Sequence, residues 1–209
     1  MSKKIIIKRI IRFFLLIMTV IATSLVFIRQ DWFNVSMGVL TIILTILLIV
    51  FEQKFKLKIP LIIELIIILY VYSCIFLGEI GNFYRLVEWW DSFTHLLSGI
   101  AWGLIGFLLL YVLDKQRKIK AKPILLVLFV FCFIITVGIS WEIGEFALDS
   151  LTGSDYQGSR NLCQISSSCD SRIGLMDTMI DISLDFIGAI IVCILSWIYL
   201  TKNNLFSKK

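Results

Sequence analysis

The chain has 209 residues, of which 59% are hydrophobic and only 17% are charged, and its 20 Lys and Arg residues outnumber its 15 Asp and Glu residues. A water-soluble domain of this length cannot bury so much apolar surface, so the composition excludes a soluble protein and indicates an integral membrane protein. The net charge of +5 does not indicate nucleic-acid binding here, because in a membrane protein charge first reports which side each loop occupies.

Six apolar segments are each long enough to cross a bilayer, which takes about 20 residues. They cover roughly residues 10–28, 35–51, 60–77, 92–113, 123–148 and 177–200. We therefore predict an all-α fold, a polytopic membrane helix bundle of about six transmembrane helices that forms a single integral membrane domain over residues 1–209. The first segment follows a Lys-rich stretch, as in a signal peptide, but no clear small-x-small cleavage site follows it, so we interpret it as a retained anchor.

Basic residues are concentrated in stretches that alternate along the chain. Sixteen of the 20 Lys and Arg residues lie at the N-terminus up to Arg12, after the second span, after the fourth or after the sixth. By the positive-inside rule these stretches face the cytoplasm, which predicts a plasma-membrane protein with both termini cytoplasmic. Twelve of the 15 acidic residues then lie toward the outer face, so that face is predicted to be strongly negative.

The acidic residues of the outer half have helical spacing. If the fourth helix begins near Asn82, a candidate N-cap, Glu88 and Asp91 share one face with His95. Two further sets with similar offsets lie at the outer ends of spans five and six: Glu142, Glu145 and Asp149, and Asp177, Asp181 and Asp185. Each set occupies an arc of no more than about 80° on its helix, so all three can face one shared place. Carboxylates within a span cost on the order of 2.5–3.5 kcal/mol each, so their presence indicates a function or a buried partner.

A cluster of so many carboxylates needs a metal ion, shared protons, a cationic substrate or nearby arginines to offset its charge. The leading hypothesis is a divalent metal, Mg²⁺, Mn²⁺ or Zn²⁺, because these ions take carboxylate and imidazole ligands. The predicted metal ligands are Glu142, Glu145, Asp177, Asp181 and Asp185, and the predicted catalytic residues are His95 and Asp91. His95, the only histidine, would take a proton while Asp91 orients it. The protein would then be a metal-dependent hydrolase or transferase acting on a lipid or envelope substrate.

Two other classes of function stay open at this point, so the sequence does not decide whether the protein is an enzyme. One is a proton- or cation-coupled transporter that uses the same acidic residues, although the almost wholly apolar inner halves of spans four to six count against it. The other is a non-catalytic envelope or partner-binding protein whose acidic residues only stabilise the bundle. The sequence contains no glycine-rich phosphate loop, and it does not determine the oligomeric state.

The longest connection, at about residues 150–176, contains Cys163 and Cys169. On the outer side of the membrane these two thiols are free to form a disulfide, but two separate thiols fit the sequence equally well.

Two further predictions concern contacts between helices. Gly99 and Gly103 have small-xxx-small spacing, which lets span four approach a neighbouring helix closely. We expect that approach within one chain rather than in a dimer. Glu64, near the inner end of span three, is expected to snorkel or to pair with Lys56 or Lys58 and is assigned no function.

Three motifs follow one another in the second half of the chain. They are D-x3-H from Asp91 to His95, E-x2-E from Glu142 to Glu145, and D-x3-D from Asp177 to Asp181, the last followed by Gly188-Ala189. Over roughly residues 60–200 this order resembles a YjdF-like family of bacterial membrane-spanning proteins of unknown function, although the Thr-Gln-Gly-Asp stretch of that family is absent here. The resemblance implies a bacterial cytoplasmic-membrane protein and supplies no reaction. The chain is more loosely similar to VanZ-like proteins, with Asp185 where their D-x3-N-x2-G motif has Asn, which implies a cell-envelope role.

Overall fold

The computed structural model describes residues 3–55, 59–116, 121–157 and 172–203, and within these ranges the regular structure is helical, with no strand. The helices are α1 (Lys3–Ile28), α2 (Trp32–Lys54), α3 (Leu61–Val71), α4 (Phe83–Leu86), α5 (Trp90–Lys115), α6 (Pro123–Thr152) and α7 (Ile173–Asn203). A π-helical segment, Tyr72–Ile80, continues directly from α3. The predicted all-α fold class is therefore confirmed.

Within the part of the chain that the structure describes, six helical stretches are long and apolar enough to span a membrane. They are Ile6–Ile28, Trp32–Lys54, Leu61–Ile80, Trp90–Leu113, Pro123–Thr152 and Ile173–Lys202. This confirms the six predicted spans, most of which extend a few residues further than their apolar cores. Many Leu, Ile and Phe side chains along them are exposed, as contact with a lipid bilayer requires, and each helix satisfies its own backbone hydrogen bonds.

The chain divides into two compact units, Met1–Thr94 and His95–Lys209. In the first unit α1 and α2 form a helical hairpin. The turn between them contains Gln30 at a φ of 57° and ends at Asp31. The Asp31 carboxylate accepts hydrogen bonds from the Asn34 side chain and backbone nitrogen, which caps the start of α2. These bonds, first that from the side chain, lower the pKa of the Asp31 carboxyl because they stabilise its charged form.

Four charged side chains of the first unit form a network, which we call the charge quartet: Lys8, Arg12, Glu52 and Glu64. The Lys8 Nζ atom lies 3.1 Å from Glu52 Oε1 and 2.5 Å from Glu64 Oε2. Arg12 donates hydrogen bonds of 2.6 Å to Glu64 Oε1 and to Glu52 Oε2. Two positive and two negative charges therefore join α1, α2 and α3 at one end of the unit.

The partners of Glu64 differ from those expected from its neighbours in the sequence. Glu64 is only 1% exposed and pairs with Lys8 and Arg12 of α1, so it does not snorkel to the surface. The expected partners Lys56 and Lys58 lie outside the described residues. The physical reason is the hairpin, which returns the chain to the start of α1 just before α3 begins.

The helix of the fourth span begins later than the start near Asn82 on which the grouping of Glu88 with His95 depends. Asn82 has a left-handed φ of 60° and makes no side-chain capping hydrogen bond, and it precedes only the short α4. The chain then becomes extended at Val87, and α5 begins at Trp90, whose indole nitrogen donates to the Ser73 carbonyl. The predicted helical set that included Glu88 was therefore wrong, because Glu88 is exposed and precedes α5.

In the second unit α6 packs against α7 along a shared apolar core. The buried core residues are Leu110, Leu126, Val130, Ile134, Ala189, Val192 and Leu200. Glycines of α5 permit close approach, since a Cβ at Gly99 would come within 2.5 Å of the Asp185 carbonyl oxygen and one at Gly103 within 2.8 Å of the Val192 side chain. The close approach expected of these two glycines is therefore confirmed, and it occurs within one chain.

Gly99→Ala is expected to destabilise the protein by about 1–3 kcal/mol, because the new methyl group must push apart two helix backbones rather than a flexible side chain. The matched control is Gly144→Ala on α6, where a Cβ meets nothing within 4 Å and where Ala should be neutral or stabilising by up to about 1 kcal/mol. Unfolding of the purified protein in detergent, measured by circular dichroism, compares the two variants. Equal effects at both positions would show that the backbone contact at Gly99 is unimportant.

Candidate functional site

Three helices of the second unit bring ionisable side chains together. His95 lies near the start of α5, Glu142 lies about two thirds of the way along α6, and Asp181 and Asp185 lie one turn apart on α7. The His95 Nε2 atom lies 3.8 Å from Glu142 Oε1 and 3.9 Å from Asp181 Oδ2. The His95 Nδ1 atom lies 3.5 Å from Asp185 Oδ2. Three carboxylates from two helices thus surround one imidazole, and we call these four residues the His95 cluster.

The His95 cluster is buried. The exposed fractions are 7% for His95, 3% for Glu142, 2% for Asp181 and 3% for Asp185. Among these four side chains His95 supplies at most one positive charge against three carboxylates. Two carboxylates about 8 Å apart repel by about 2 kcal/mol at an effective dielectric near 20, so the cluster favours binding of a cation or of protons.

The cluster lies inside the spans rather than at their ends. At 1.5 Å per residue, Glu142 is about 15 Å from the end of α6 and Asp181 about 12 Å from the start of α7. Ionisable groups at such depth are costly in a membrane protein and are found at binding sites or in paired networks.

Ser98 and Gly138 hold one carboxylate of the cluster in place. The buried Ser98 hydroxyl lies 2.8 Å from the His95 carbonyl oxygen and contacts Asp185 Oδ1 directly. A Cβ at Gly138 would come within 2.5 Å of Asp185 Oδ2, so the carboxylate fits against the bare backbone of α6. The acidic spacing does not reveal either contact. The available signal is that Ser98 and Gly138 stand three and four residues from His95 and Glu142, on the same helix faces.

Asp91 lies one helical turn before His95 on α5 and is half-buried. The helix therefore presents both side chains on one face. The Asp91 backbone carbonyl oxygen accepts a hydrogen bond of 2.8 Å from the Thr94 hydroxyl. The role predicted for Asp91, orientation of His95, stays a prediction.

Asp177 and Glu145 are half-buried, one turn from Asp181 and Glu142 respectively. Glu145 accepts a hydrogen bond of 2.7 Å from the indole nitrogen of Trp141. Their assignment as metal ligands stays a prediction.

The Asp149 side chain binds the segment that follows α6. Its carboxylate accepts hydrogen bonds from the Ser154 hydroxyl and from the backbone nitrogens of Tyr156 and Gln157. Gly153, in the left-handed conformation at a φ of 72°, ends the helix. Asp149 has the helical spacing that groups it with Glu142, but its carboxylate binds the segment that follows α6.

Cys163 and Cys169, for which the sequence left a disulfide and two separate thiols equally open, lie outside the described residues. Cys74, Cys132 and Cys193, which are described, are not part of a disulfide.

A family model described as "Predicted membrane protein (DUF2238)" matches residues 10–202 of the chain. The matched range reaches into all six spans and includes the whole His95 cluster. It confirms the resemblance to the YjdF-like membrane-spanning proteins. No curated protein and no solved structure matches the chain.

Proposed function

We propose, for a chain that belongs to the DUF2238 family of predicted membrane proteins, that the second unit binds one divalent cation between His95, Glu142 and Asp181. The observation that supports this most directly is a buried imidazole nitrogen that faces buried carboxylates from two different helices, at 3.8 and 3.9 Å. A divalent cation would offset the charge of both carboxylates, and the imidazole would complete a mixed nitrogen and oxygen ligand set.

The distances support an ion more than direct hydrogen bonds. An N–H···O hydrogen bond is about 2.7–3.2 Å long, which is shorter than both gaps at His95 Nε2. Two ligand atoms that each lie about 2.1 Å from a tetrahedral ion are separated by about 3.4 Å. The distances from His95 Nε2 to the two carboxylates therefore need to shorten only by about 0.5 Å to hold an ion. Mn²⁺ and Zn²⁺ fit this ligand set better than Mg²⁺, which prefers oxygen ligands and retained waters. Asp177 and Glu145 would supply further oxygen ligands toward the helix ends.

The chemistry proposed for the bound ion is hydrolysis or group transfer. A divalent ion held by His95, Glu142 and Asp181 would activate a water molecule or polarise a phosphoryl oxygen. The depth of the cluster and the exposed apolar side chains around Glu142 on α6, among them Trp141, Ile143 and Phe146, favour a substrate with a lipid tail. With the basic loops facing the cytoplasm, the site would open toward the outer face of a bacterial plasma membrane, where lipid-linked envelope substrates occur.

The test is metal analysis of the purified protein beside His95→Ala and Asp181→Asn, with Glu88→Gln as a control at an exposed acidic residue. We expect about one Mn²⁺ or Zn²⁺ ion per chain in the wild type and in the control, and no bound ion in either cluster variant, because each variant removes one of only three ligands. Wild-type protein that binds no divalent ion when it is supplied would refute the proposal.

Transport receives no specific support from the described residues. Between Pro123 and Trp141 on α6, and between Phe186 and Thr201 on α7, no Asp, Glu, Lys, Arg or His occurs, so the cluster does not continue as a chain of charged groups across the span. Ion-driven flux in proteoliposomes that disappears in Asp181→Asn would reverse this ranking.

A further inference from the structure

The two nitrogens of His95 face different carboxylates. Nε2 lies between Glu142 and Asp181, on α6 and α7, whereas Nδ1 faces Asp185 at 3.5 Å. A histidine that binds a metal through one nitrogen commonly donates the N–H of the other to a carboxylate, which fixes the ring. The geometry at His95 has the form of that arrangement.

Both carboxylate oxygens of Asp185 face neighbouring protein groups. Its Oδ1 atom contacts the Ser98 hydroxyl, and its Oδ2 atom faces His95 Nδ1 and lies against the backbone of Gly138. Both oxygens are thus directed at neighbouring protein groups. A carboxylate that binds a metal ion must instead direct an oxygen lone pair at the ion.

We propose that Asp185 is a positioning residue rather than a metal ligand: Ser98 holds Asp185, Asp185 accepts the Nδ1–H of His95, and Nε2 is thereby left to face the cation. This inference rests on the proposed cation site and revises the ligand set expected from spacing, which included Asp185. The 3.5 Å separation is longer than an N–H···O hydrogen bond, so the proposal requires His95 Nδ1 and Asp185 Oδ2 to move closer when the cation binds, as contacts in such sites do.

The experiment uses the presence of a single histidine. Full-length protein labelled with ¹⁵N at histidine gives imidazole signals from His95 alone, so NMR of the Zn²⁺-loaded protein in detergent identifies which nitrogen carries a proton and which binds the metal. We expect a protonated Nδ1 and a metal-bound Nε2. Asp185→Asn and Ser98→Ala should each still bind one ion per chain, with affinity reduced about 10- to 100-fold, whereas Asp181→Asn should bind none.

The control is Ser183→Ala, an exposed serine on α7 whose hydroxyl bonds only to the Met179 carbonyl among the contacts described; it should change neither affinity nor the spectrum. Ser98→Ala removes a single oxygen atom and so keeps the test available if Asp185→Asn fails to fold. Metal bound at Nδ1, or complete loss of binding in folded Asp185→Asn and Ser98→Ala proteins, would overturn the inference.

The experiment also distinguishes a wrong cation site from a wrong role for Asp185. If the wild type binds no divalent ion, the proposed function is refuted, and the metal-free ¹⁵N spectrum still tests the role of Asp185. The Nδ1-bound proton signal should then shift in Asp185→Asn and in Ser98→Ala but not in Ser183→Ala. An unshifted signal in the first two variants would exclude the positioning role.

Discussion

Asp181→Asn is expected to stabilise the metal-free protein while it abolishes stabilisation by a divalent cation. In the absence of metal the substitution removes one of three buried carboxylates around His95, which should raise the free energy of unfolding by about 2 kcal/mol if the carboxylates are charged. With Mn²⁺ at about 100 times its Kd, the wild type should gain about 2.7 kcal/mol, and the variant should gain nothing. Unfolding in detergent, with and without Mn²⁺, measures both effects.

The matched control for the two opposite effects of Asp181→Asn, without and with Mn²⁺, is Glu88→Gln. This substitution removes an exposed carboxylate that is not a member of the His95 cluster. It should leave both the metal-free stability and the response to Mn²⁺ unchanged. An Asp181→Asn protein that is less stable than the wild type and still responds to Mn²⁺ would show that Asp181 has a structural role and is not a cation ligand.

Glu64→Gln is expected to destabilise the protein by about 3–5 kcal/mol, because it removes the more buried carboxylate of the charge quartet and leaves the charges of Lys8 and Arg12 only partly compensated. Glu64 is 1% exposed. Its Oε2 atom lies 2.5 Å from Lys8 Nζ, and its Oε1 atom lies 2.6 Å from Arg12 Nε. After the substitution both cations have only Glu52 of the charge quartet as a partner. Glu52 is more exposed, at 18%, so Glu52→Gln should cost less. Chemical unfolding of the two variants in the same detergent compares them.

A double-mutant cycle separates charge pairing from packing. Arg12→Leu and Glu64→Leu should each be strongly destabilising, whereas the double variant should be close to the wild type, since apolar replacement of a whole buried pair is often neutral and Lys8 and Glu52 remain 3.1 Å apart. Costs below about 1 kcal/mol for the single variants, as for exposed salt bridges, would contradict a buried role for the charge quartet.

Helical phase predicted the members of the site only in part. Asp181 and Asp185 share one face of α7 by spacing alone, and both reach His95. Asp149 has a comparable spacing from Glu142, yet its carboxylate binds the segment after α6. Spacing fixes which side chains share a face, but it does not fix where a helix ends or how a following turn uses the side chain.

In the first unit, the partners within the charge quartet likewise could not be predicted from the sequence. The basic residues near the start of the chain were interpreted only as signs of orientation. In the folded chain Lys8 and Arg12 lie against Glu64, more than 50 positions away in the sequence. The sequence does not reveal this pairing, because it depends on how α1 and α3 are brought together by the hairpin.

By itself the sequence determined the six spans, the all-α fold class and the family, because hydropathy over about 20 residues and motif order are local properties of the chain. It also identified most of the ionisable residues at issue. Only the tertiary structure decided that His95, Glu142, Asp181 and Asp185 meet, that Glu88 precedes α5 and that Asp149 binds the segment after α6. The physical reason is helix packing: the Cβ-free surfaces of Gly99 and Gly138 lie directly against Asp185, and the resulting approach and rotation of the helices set which side chains face His95.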